Sequence, residues 1–346
     1  MKTALITTTI RVPEVLKLYR SFDSSAAFFI AGDKKTPHAE LESFVREIGN
    51  AFYYSDTDQE KLGYASSGVI GWNKIMRRNI ALLEAVKWGA GIIVTVDDDN
   101  IPLSPDYFNV FRKILSTPYS GFSAASATGW FNAGEWLEPA VYHRGFPYEY
   151  RHRSLDVRLQ RCSGVKVGVA AGLWLGDPDI DAVERLALRP DVTGVRGEMK
   201  EGMVLSGCIA PFNTQNTAFR AELAPLLMVY TGVGRYDDIF ASMTAQRFMA
   251  DMGLSLYFGN PLVRQDRNPQ DLFRNLEDEL FGMRHMLRFK NDLFAADLGG
   301  GTVLEKLRRL AVFFKEWNYL PPAMHELTLA WCSDLQKIYE AREKSA

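Results

Sequence analysis

The fold of this chain is decided by the stretch Val94-Thr95-Val96-Asp97-Asp98-Asp99-Asn100-Ile101-Pro102. Its first residues continue an apolar run from Ile92 that is typical of a buried strand, and three carboxylates follow directly. Adjacent acids repel one another unless a cation neutralises them. At the carboxyl end of a strand in an α/β sheet, where ligands bind, that cation is usually a divalent ion carrying a diphosphate. The alternative is a solvated acidic turn in which Asp99 or Asn100 caps the next segment.

Composition indicates an ordinary soluble protein. The chain has 346 residues, of which 47% are apolar and 24% charged, enough for one large domain or two modest ones. A net charge of −2 gives no electrostatic case for nucleic acid as a partner. The three cysteines are widely spaced and odd in number, which suits a reducing compartment. The chain begins with a strand, not a signal peptide, and has no apolar run near the ~20 residues that span a bilayer. We therefore expect a cytoplasmic protein without a transmembrane segment.

Strands and helices alternate before the acidic triplet. We predict strands at residues 4–9, 26–31, 51–54 and 92–96, and helices at residues 14–20, 37–48 and 72–88. This βαβ alternation with short connections predicts an α/β fold with a Rossmann-like, mostly parallel sheet. Residues 120–215 suit an antiparallel extension with loops. Further helices are predicted at residues 234–253, 269–288 and 302–341.

Five segments carry a family resemblance. They are residues 9–11, the triplet 97–99, residues 142–148 with Arg151, residues 172–182 and residues 234–239, and residues 213–220 look like a further family stretch. In this order they resemble the plant reversibly glycosylated polypeptides, which are UDP-arabinopyranose mutases. The likeness covers roughly residues 1–280 and identifies the chain as a divergent member.

The resemblance implies a glycosyltransferase-A-like core that works on nucleotide-activated sugars. We place this nucleotide-sugar domain at residues 1–285. A helical C-terminal extension packed on the core is expected at residues 286–346, with the three glycines 299–301 as a hinge. The extension lies outside the resemblance, so the sequence leaves open whether the protein forms a homo-oligomer.

Asp97 and Asp99 are the predicted metal ligands. Alternate residues beyond a strand end can point the same way, so these two carboxylates can converge on one ion while Asp98 faces elsewhere. Hard oxygen ligands suit Mn²⁺ or Mg²⁺. Such an ion would act as a Lewis acid on the departing UDP.

One stretch departs from the family pattern. Family members have a histidine shortly before an Asn-Pro pair, where a further metal ligand is often found, but residues 261–269 contain none. Asp266 or Gln265 is the predicted replacement as an oxygen ligand. Alternatively, Arg264 or Arg267 replaces part of the ion's charge.

The nucleotide side is predicted from residues that follow the first strands and from a basic pair. These residues are Thr9, Arg11, Asp33, Arg77, Arg78 and Asp98. Asp33 could accept a hydrogen bond from a uracil N–H or a ribose hydroxyl. One arginine of the pair could hold the diphosphate with a bidentate fork. The alternative for the pair is a solvated basic face of a helix.

Two arginines are catalytic candidates because of the resemblance. The family becomes reversibly glycosylated on an arginine that matches Arg144, and it needs a second arginine that matches Arg151. A free guanidinium has a pKa above ~12 and is a poor nucleophile unless a carboxylate takes its proton. A covalent glycosyl-arginine and an arginine that only steadies the diphosphate are both open. A third possibility is that Arg144 lies at the surface and packs on Phe146 and Tyr148.

Asp237 and Asp238 open a predicted helix and are the remaining catalytic candidates. An acid at this place faces the sugar in many glycosyltransferase-A enzymes, as a base or as an electrostatic partner. Capping of the helix is the simpler interpretation and is compatible with it. Of the two acids, Asp238 is the stronger candidate.

Three functions remain open from the sequence. The first is pyranose/furanose interconversion of a UDP-sugar or a related nucleotide sugar, with or without reversible glycosylation of Arg144. The second is metal-dependent transfer of the sugar to an external acceptor. The third is non-catalytic binding of a nucleotide sugar. The sequence alone does not identify the sugar, the nucleotide or an acceptor.

Overall fold

The N-terminal half forms a parallel sheet because each apolar strand is followed by a helix that covers it. The computed structural model describes residues 1–267 and 270–345. The Asn268-Pro269 pair of the departing stretch lies outside the described residues. Four strands pair in parallel in the order β3-β2-β1-β4, where β1 is Thr3–Thr8, β2 is Ala27–Ala31, β3 is Ala51–Tyr54 and β4 is Ile92–Val96.

The remaining elements follow in chain order. The other strands are β5 (Asn100–Pro102), β6 (Tyr119–Ser126), β7 (Leu137–Glu138), β8 (Val157–Val165), β9 (Val167–Gly176), β10 (Gly194–Val195), β11 (Met203–Leu205), β12 (Asn216–Arg220) and β13 (Ser255–Gln265). The α-helices are α1 (Val15–Phe22), α2 (His38–Ile48), α3 (Asp56–Lys61), α4 (Ala65–Ile70), α5 (Arg78–Trp88), α6 (Tyr107–Ser116), α7 (Ala182–Ala187), α8 (Asp237–Met252), α9 (Leu272–Ala295), α10 (Val303–Glu316) and α11 (Pro322–Ser345).

The sheet becomes mixed beyond β4. Its order continues β12-β9-β13-β11-β6-β8, with β12 antiparallel to both β4 and β9. Val96 at the end of β4 lies opposite Asn216 at the start of β12. The loop before β12 therefore reaches the same edge of the sheet as the acidic triplet. The antiparallel extension expected within residues 120–215 is present as the pairing of β6 with β8.

The helix predicted at residues 72–88 is wrong in its first part. A 3₁₀ turn, Ile75–Arg77, precedes α5, which starts only at Arg78. Gly89 ends α5 with a left-handed backbone (φ 87°), a conformation that glycine adopts without strain. This division matters because it separates Arg77 from Arg78, as described below.

The C-terminal helices pack back onto the core. Helix α11 contacts α4, where the Asp334 carboxylate accepts hydrogen bonds from Ala65 N and Ser66 N at 2.8 Å each. Trp331 is fully buried, and its indole donates to Pro225 O at 3.0 Å. The predicted α/β architecture, with a parallel, Rossmann-like N-terminal half and a helical C-terminal extension, is confirmed. The predicted domain boundary at 285/286 falls within α9, so the division into two domains stays a proposal. No helix in the described part of the chain is long and apolar enough to cross a bilayer.

Candidate functional site

The three carboxylates after β4 each have different partners. Asp97 pairs with the guanidinium of Arg78, and Asp98 accepts from Thr9 Oγ1 at 2.6 Å and from Arg11 Nε at 3.2 Å. Asp99 lies beside Gln265, whose Nε2 is 3.4 Å from its Oδ1. Burial and, next, the negative charge of Asp97 raise the pKa of Asp99 to about 6. Arg78 and Arg11 thus pair with Asp97 and Asp98, whereas no ion pair to Asp99 is recorded among the described residues, and its role as a metal ligand stays a prediction.

The donor atoms around Asp99 suit a hard cation. Among the described residues no group of three or more His, Cys, Asp or Glu side chains is placed to hold a metal ion. Asp97 and Asp99 nevertheless supply two carboxylates, and the buried Oε1 of Gln265 has no hydrogen-bond partner within residues 1–267 and 270–345. Mg²⁺ is commonly bound by one or two carboxylates, with water and substrate phosphates completing its shell. The oxygen-rich set of these three residues fits that pattern.

The alternative ligand Asp266 is not in this set. Its carboxylate is exposed and pairs with Arg264 Nε at 3.0 Å. The register of the sheet explains the difference, because Gln265 is the last residue of β13 and lies opposite Asn100 in β5, next to Asp99. Of the two predicted replacements, Gln265 is therefore the one placed beside the acidic triplet.

A cavity of about 280 Å³ gathers four of the predicted nucleotide residues. Its lining residues are Thr8, Thr9, Ile10, Arg11, Asp33, Lys35, Asn73, Lys74, Ile75 and Asp98. Asp33 is buried, and its carboxylate accepts from three backbone amides: Lys34 N at 2.7 Å, Asn73 N at 2.8 Å and Lys74 N at 3.0 Å. It thereby fixes the loop that carries Lys74 and the exposed Ile75 into the cavity. The sequence interpretation missed Ile10, Lys74 and Ile75.

Arg77 and Arg78 are separated by the start of α5. Arg77 is fully buried away from the cavity, where its Nε donates to Gln59 at 2.8 Å and its guanidinium stacks on Trp72 at 3.9 Å. The structure does not bring Arg77 to the predicted site. Arg78 instead reaches the acidic triplet through Asp97 and also donates to Thr214 Oγ1 at 2.7 Å.

Arg144 lies at the centre of a buried ionic cluster. Its Nε and Nη2 donate to the two oxygens of Asp179 at 2.9 and 3.0 Å, and Nη2 also donates to Asp238 Oδ1 at 3.1 Å. Burial alone would lower the pKa of Arg144, but the two carboxylates outweigh it and raise that pKa above its ordinary value. Gly145, with φ 90°, lets the loop approach α8, since a Cβ there would stand 2.4 Å from Ile239 Cγ2. A surface arginine packed on aromatics is excluded.

A continuous network joins Arg144 to the acidic triplet. Asp238 Oδ2 accepts from Thr214 N at 3.0 Å, and Thr214 accepts from Arg78, which pairs with Asp97. These contacts come from β4, α5, α8 and the loop before β12. Of the predicted catalytic and metal residues, this network connects Arg144, Asp238 and Asp97.

Asp237 lies next to this network, but no hydrogen bond between Asp237 and Arg144 is recorded among the described residues. Its Oδ1 accepts from Asp238 N at 2.8 Å at the start of α8, which is a helix-terminal role. Burial and, next, the charge of Asp238 raise the pKa of Asp237 to about 7. Asp238 is the acid that contacts Arg144, and its role facing the sugar stays a prediction.

Arg151 occupies a neighbouring cluster. It pairs with Asp181, and its guanidinium lies 3.9 Å from the ring centroid of Tyr148. The short segment between Asp179 and Asp181 connects the two arginines, one held by each acid. Arg151 and Glu184 line a separate cavity of about 580 Å³. The structure therefore places Arg151 next to the Arg144 cluster and not inside it.

Glu184 makes this second cluster sensitive to pH. Burial raises the pKa of Glu184 to about 7, although the Tyr142 amide and Arg151 oppose the shift. Between its ordinary value of 4.5 and about 7 the unfolded chain releases this proton more readily than the folded chain, so stability falls as pH rises through that window.

We expect Glu184→Gln to lack this pH-dependent loss of stability. Its free energy of unfolding should therefore rise relative to that of wild type as the pH increases from 5 to 8. Urea unfolding at several pH values measures the difference. Glu149→Gln, an exposed neighbour, is the control, and parallel curves for Glu184→Gln and wild type would contradict the assignment.

Two acidic residues of the site were missed as site residues. Asp179 holds Arg144, and Asp177 pairs with Arg185. Their signal in the sequence is the same as that of the triplet, namely alternate acids directly after the long apolar strand β9. This spacing is present in the sequence, but it does not predict that the turn contacts Arg144.

Comparison with known proteins points to one family. No family model matches the chain. UDP-arabinopyranose mutase 1 of Arabidopsis thaliana is 25% identical over 291 residues, which are 81% of this chain and 75% of that protein. The probable UDP-arabinopyranose mutase 2 of Solanum tuberosum is 27% identical over 201 residues, 55% of this chain and 50% of that protein. The chain thus spans about half the length of the second relative.

Two solved structures are similar at low scores. Glucosyl-3-phosphoglycerate synthase from Mycobacterium tuberculosis, in complex with Mn²⁺ and UDP-glucose, has a TM-score of 0.43 and 11% identity over 86% of this chain and 80% of that one. A mannosyltransferase from Pyrobaculum calidifontis, in complex with GDP-Man and Mn²⁺, has a TM-score of 0.39 and 13% identity over 96% of this chain and 86% of that one. The resemblance inferred from the motifs is confirmed by the sequence matches: the chain is a divergent relative of the UDP-arabinopyranose mutases.

Proposed function

We propose that this protein is a nucleotide-sugar enzyme of the UDP-arabinopyranose mutase type, which interconverts the pyranose and furanose forms of a UDP-sugar. The observation that carries the proposal is the network from Asp97 through Arg78, Thr214 and Asp238 to Arg144. The proposal is supported by this link between a buried, doubly paired arginine and Asp97, one of the residues that suit a divalent ion. The curated relatives named above are mutases of this type and support the assignment.

The nucleotide half of the substrate fits the cavity beside Asp98. Thr9 and Arg11 fix the Asp98 carboxylate, and Lys74 supplies a positive charge at the rim. Exposed Ile10 and Ile75 offer apolar surface to a base. A bound divalent ion would supply Lewis-acid stabilisation of the departing diphosphate. Asp97, Asp99 and Gln265 would hold it.

The sugar half belongs at Arg144 and Asp238. When the bond from C1 to the diphosphate oxygen breaks, its electron pair leaves with UDP, and C1 becomes electron-poor. For Arg144 to bond to C1, one Nη proton must first pass to a carboxylate, and Asp238 Oδ1 stands 3.1 Å from Nη2. If the guanidinium keeps its proton, it stabilises the released diphosphate by its charge. On the covalent route, the lone pair of the Arg144 nitrogen expels the original ring oxygen from C1 and this oxygen takes up a proton; a different hydroxyl then adds to C1 and releases its proton, and UDP returns to C1 as the bond to Arg144 breaks. On the non-covalent route, a different hydroxyl of the sugar adds to C1 and loses its proton, and the returning UDP oxygen displaces the original ring oxygen, which takes up a proton.

The test is incubation of the protein with Mn²⁺ and a panel of UDP-pentoses and UDP-hexoses. Chromatography of the nucleotide sugars and intact-protein mass spectrometry are read from the same samples. We expect a furanose product from one pyranose donor, and a reversible adduct of one sugar mass if Arg144 is the covalent carrier. Free UDP with the sugar found on an added acceptor would indicate a transferase. The absence of UDP binding would reject the nucleotide-sugar assignment altogether.

A further inference from the structure

Arg267 emerges from the sheet between the two acidic turns of the site. It follows Gln265, the last residue of β13, which lies opposite Asn100 in β5 and Gly176 in β9. Residues 97–99 precede β5, and residues 177–179 follow β9. The topology therefore delivers the side chain of Arg267 to the region that both turns enclose.

The guanidinium of Arg267 is buried but poorly satisfied. The side chain is 7% exposed, and its nearest carboxylates are Asp179 Oδ1 at 3.6 Å and Asp177 Oδ1 at 3.9 Å, both beyond hydrogen-bond distance. These acids already pair with other arginines, Asp179 with Arg144 and Asp177 with Arg185. Nε and Nη2 of Arg267 are buried without a hydrogen-bond partner in the part of the chain that the structure describes.

Other unpaired polar atoms lie close by in the sheet. The Nδ2 of Asn100 and the Oε1 of Gln265, residues that pair across β5 and β13, also lack partners within the described residues. Buried polar groups in folded proteins are almost always hydrogen-bonded, and a buried charge without such bonds is costly. The donors among these atoms, Nε and Nη2 of Arg267 and Nδ2 of Asn100, therefore indicate a place for an anionic ligand, whereas the acceptor Oε1 of Gln265 suits the cation described above.

The position of Arg267 indicates which anion. Gln265, two residues before Arg267, donates through Nε2 to Asp99 Oδ1 at 3.4 Å, so Arg267 follows the strand end that reaches the acidic triplet. A cavity of about 540 Å³ opens beside it, and its lining includes the arginines Arg185, Arg189 and Arg267 and the aspartates Asp177, Asp191 and Asp266. A planar guanidinium with two unused donors matches the paired oxygens of a phosphate.

We propose that Arg267 binds the diphosphate of the nucleotide sugar through Nε and Nη2. This inference rests on the proposed function and adds that part of the affinity for the diphosphate is independent of a divalent ion. Arg264, the other arginine considered for this role, does not qualify. It is 43% exposed and pairs with Asp266 at 3.0 Å and with Asp191 at 3.6 Å.

The experiment compares UDP with uridine by titration calorimetry, each with Mn²⁺ and with EDTA. We expect Arg267→Gln to weaken UDP binding roughly 10- to 100-fold in both conditions and to leave uridine binding unchanged, because only the diphosphate loses its charged donors. Arg267→Lys keeps the charge without the fork and should fall between Arg267→Gln and wild type. Arg264→Gln is the matched control and should bind UDP as wild type does.

The outcomes separate the two proposals. Equal UDP affinity of wild type and Arg267→Gln, or equal losses in Arg267→Gln and Arg264→Gln, would overturn the role of Arg267 while leaving the proposed function intact. The same holds if the loss appears for uridine as well, since that reports a damaged fold. A wild-type protein that binds neither UDP nor uridine would instead overturn the proposed function and this inference with it.

Discussion

Replacing Arg144 by alanine is expected to abolish sugar turnover and any sugar adduct, and to lower the free energy of unfolding by about 3–5 kcal/mol at pH 7. The reason is that the change leaves two buried carboxylates without their main cation. The side chains of Asp179 and Asp238 are only 1% and 7% exposed. An uncompensated buried charge is among the few causes of losses this large.

The loss of stability should depend on pH in a defined direction. Burial by itself would raise the pKa of Asp179, but Arg144 and then Arg267 lower it far below its ordinary value. Such a group adds stability above its unfolded pKa of about 3.8, and this is lost as the pH falls below that value. The difference between wild type and Arg144→Ala should therefore be largest near neutral pH and shrink towards pH 3.

Urea unfolding and intact-protein mass spectrometry together check this prediction. Arg161→Ala is the control for stability, because Arg161 forms an exposed pair with Glu201 at 3.0 Å that is worth about 0–1 kcal/mol. Arg144→Lys keeps a positive charge at the same place and should fold better than the alanine variant while still lacking turnover. A lysine variant with wild-type turnover would contradict a specific role for the guanidinium.

The acidic triplet shows what local sequence can predict. An apolar run followed by charges identifies both a strand and its carboxyl end, because burial and solvation leave few other solutions. The first four strands were found for the same reason, and their parallel order follows from the helices between them. Arg77 and Arg78 show what local sequence could not predict. Which of two adjacent arginines faces β4 depends on where α5 begins, and the 3₁₀ turn Ile75–Arg77 moves that start from the predicted residue 72 to Arg78.

The contacts of Arg144 could not be predicted from the sequence because they depend on strand order. Strands β12, β9 and β13 lie beside β4 in an order unrelated to their order in the chain. Only this arrangement brings Asp179, after β9, to Asp238, at the start of α8, with Arg144 between them. The family resemblance pointed to the arginine and to the acidic segments, but it did not say which acid holds which base.

Asp99→Asn is expected to remove the metal-dependent part of UDP binding while leaving the protein at least as stable as wild type. The amide keeps the shape of the side chain but removes the negative charge that a hard cation requires, so affinity for Mn²⁺ should fall by at least about 10- to 100-fold. Stability should not fall, because the charge that is removed is half-buried and repelled by Asp97, and both effects raise the pKa of Asp99. Calorimetric titration of UDP with Mn²⁺ and with EDTA, beside urea unfolding, measures both effects. Asp106→Asn, a nearby exposed acid, is the control.

Loss of binding together with unchanged or higher stability assigns Asp99 to the ion, because a damaged fold would lower both. Unchanged Mn²⁺-dependent binding would instead mean that the triplet is a solvated acidic turn, the alternative that the sequence left open.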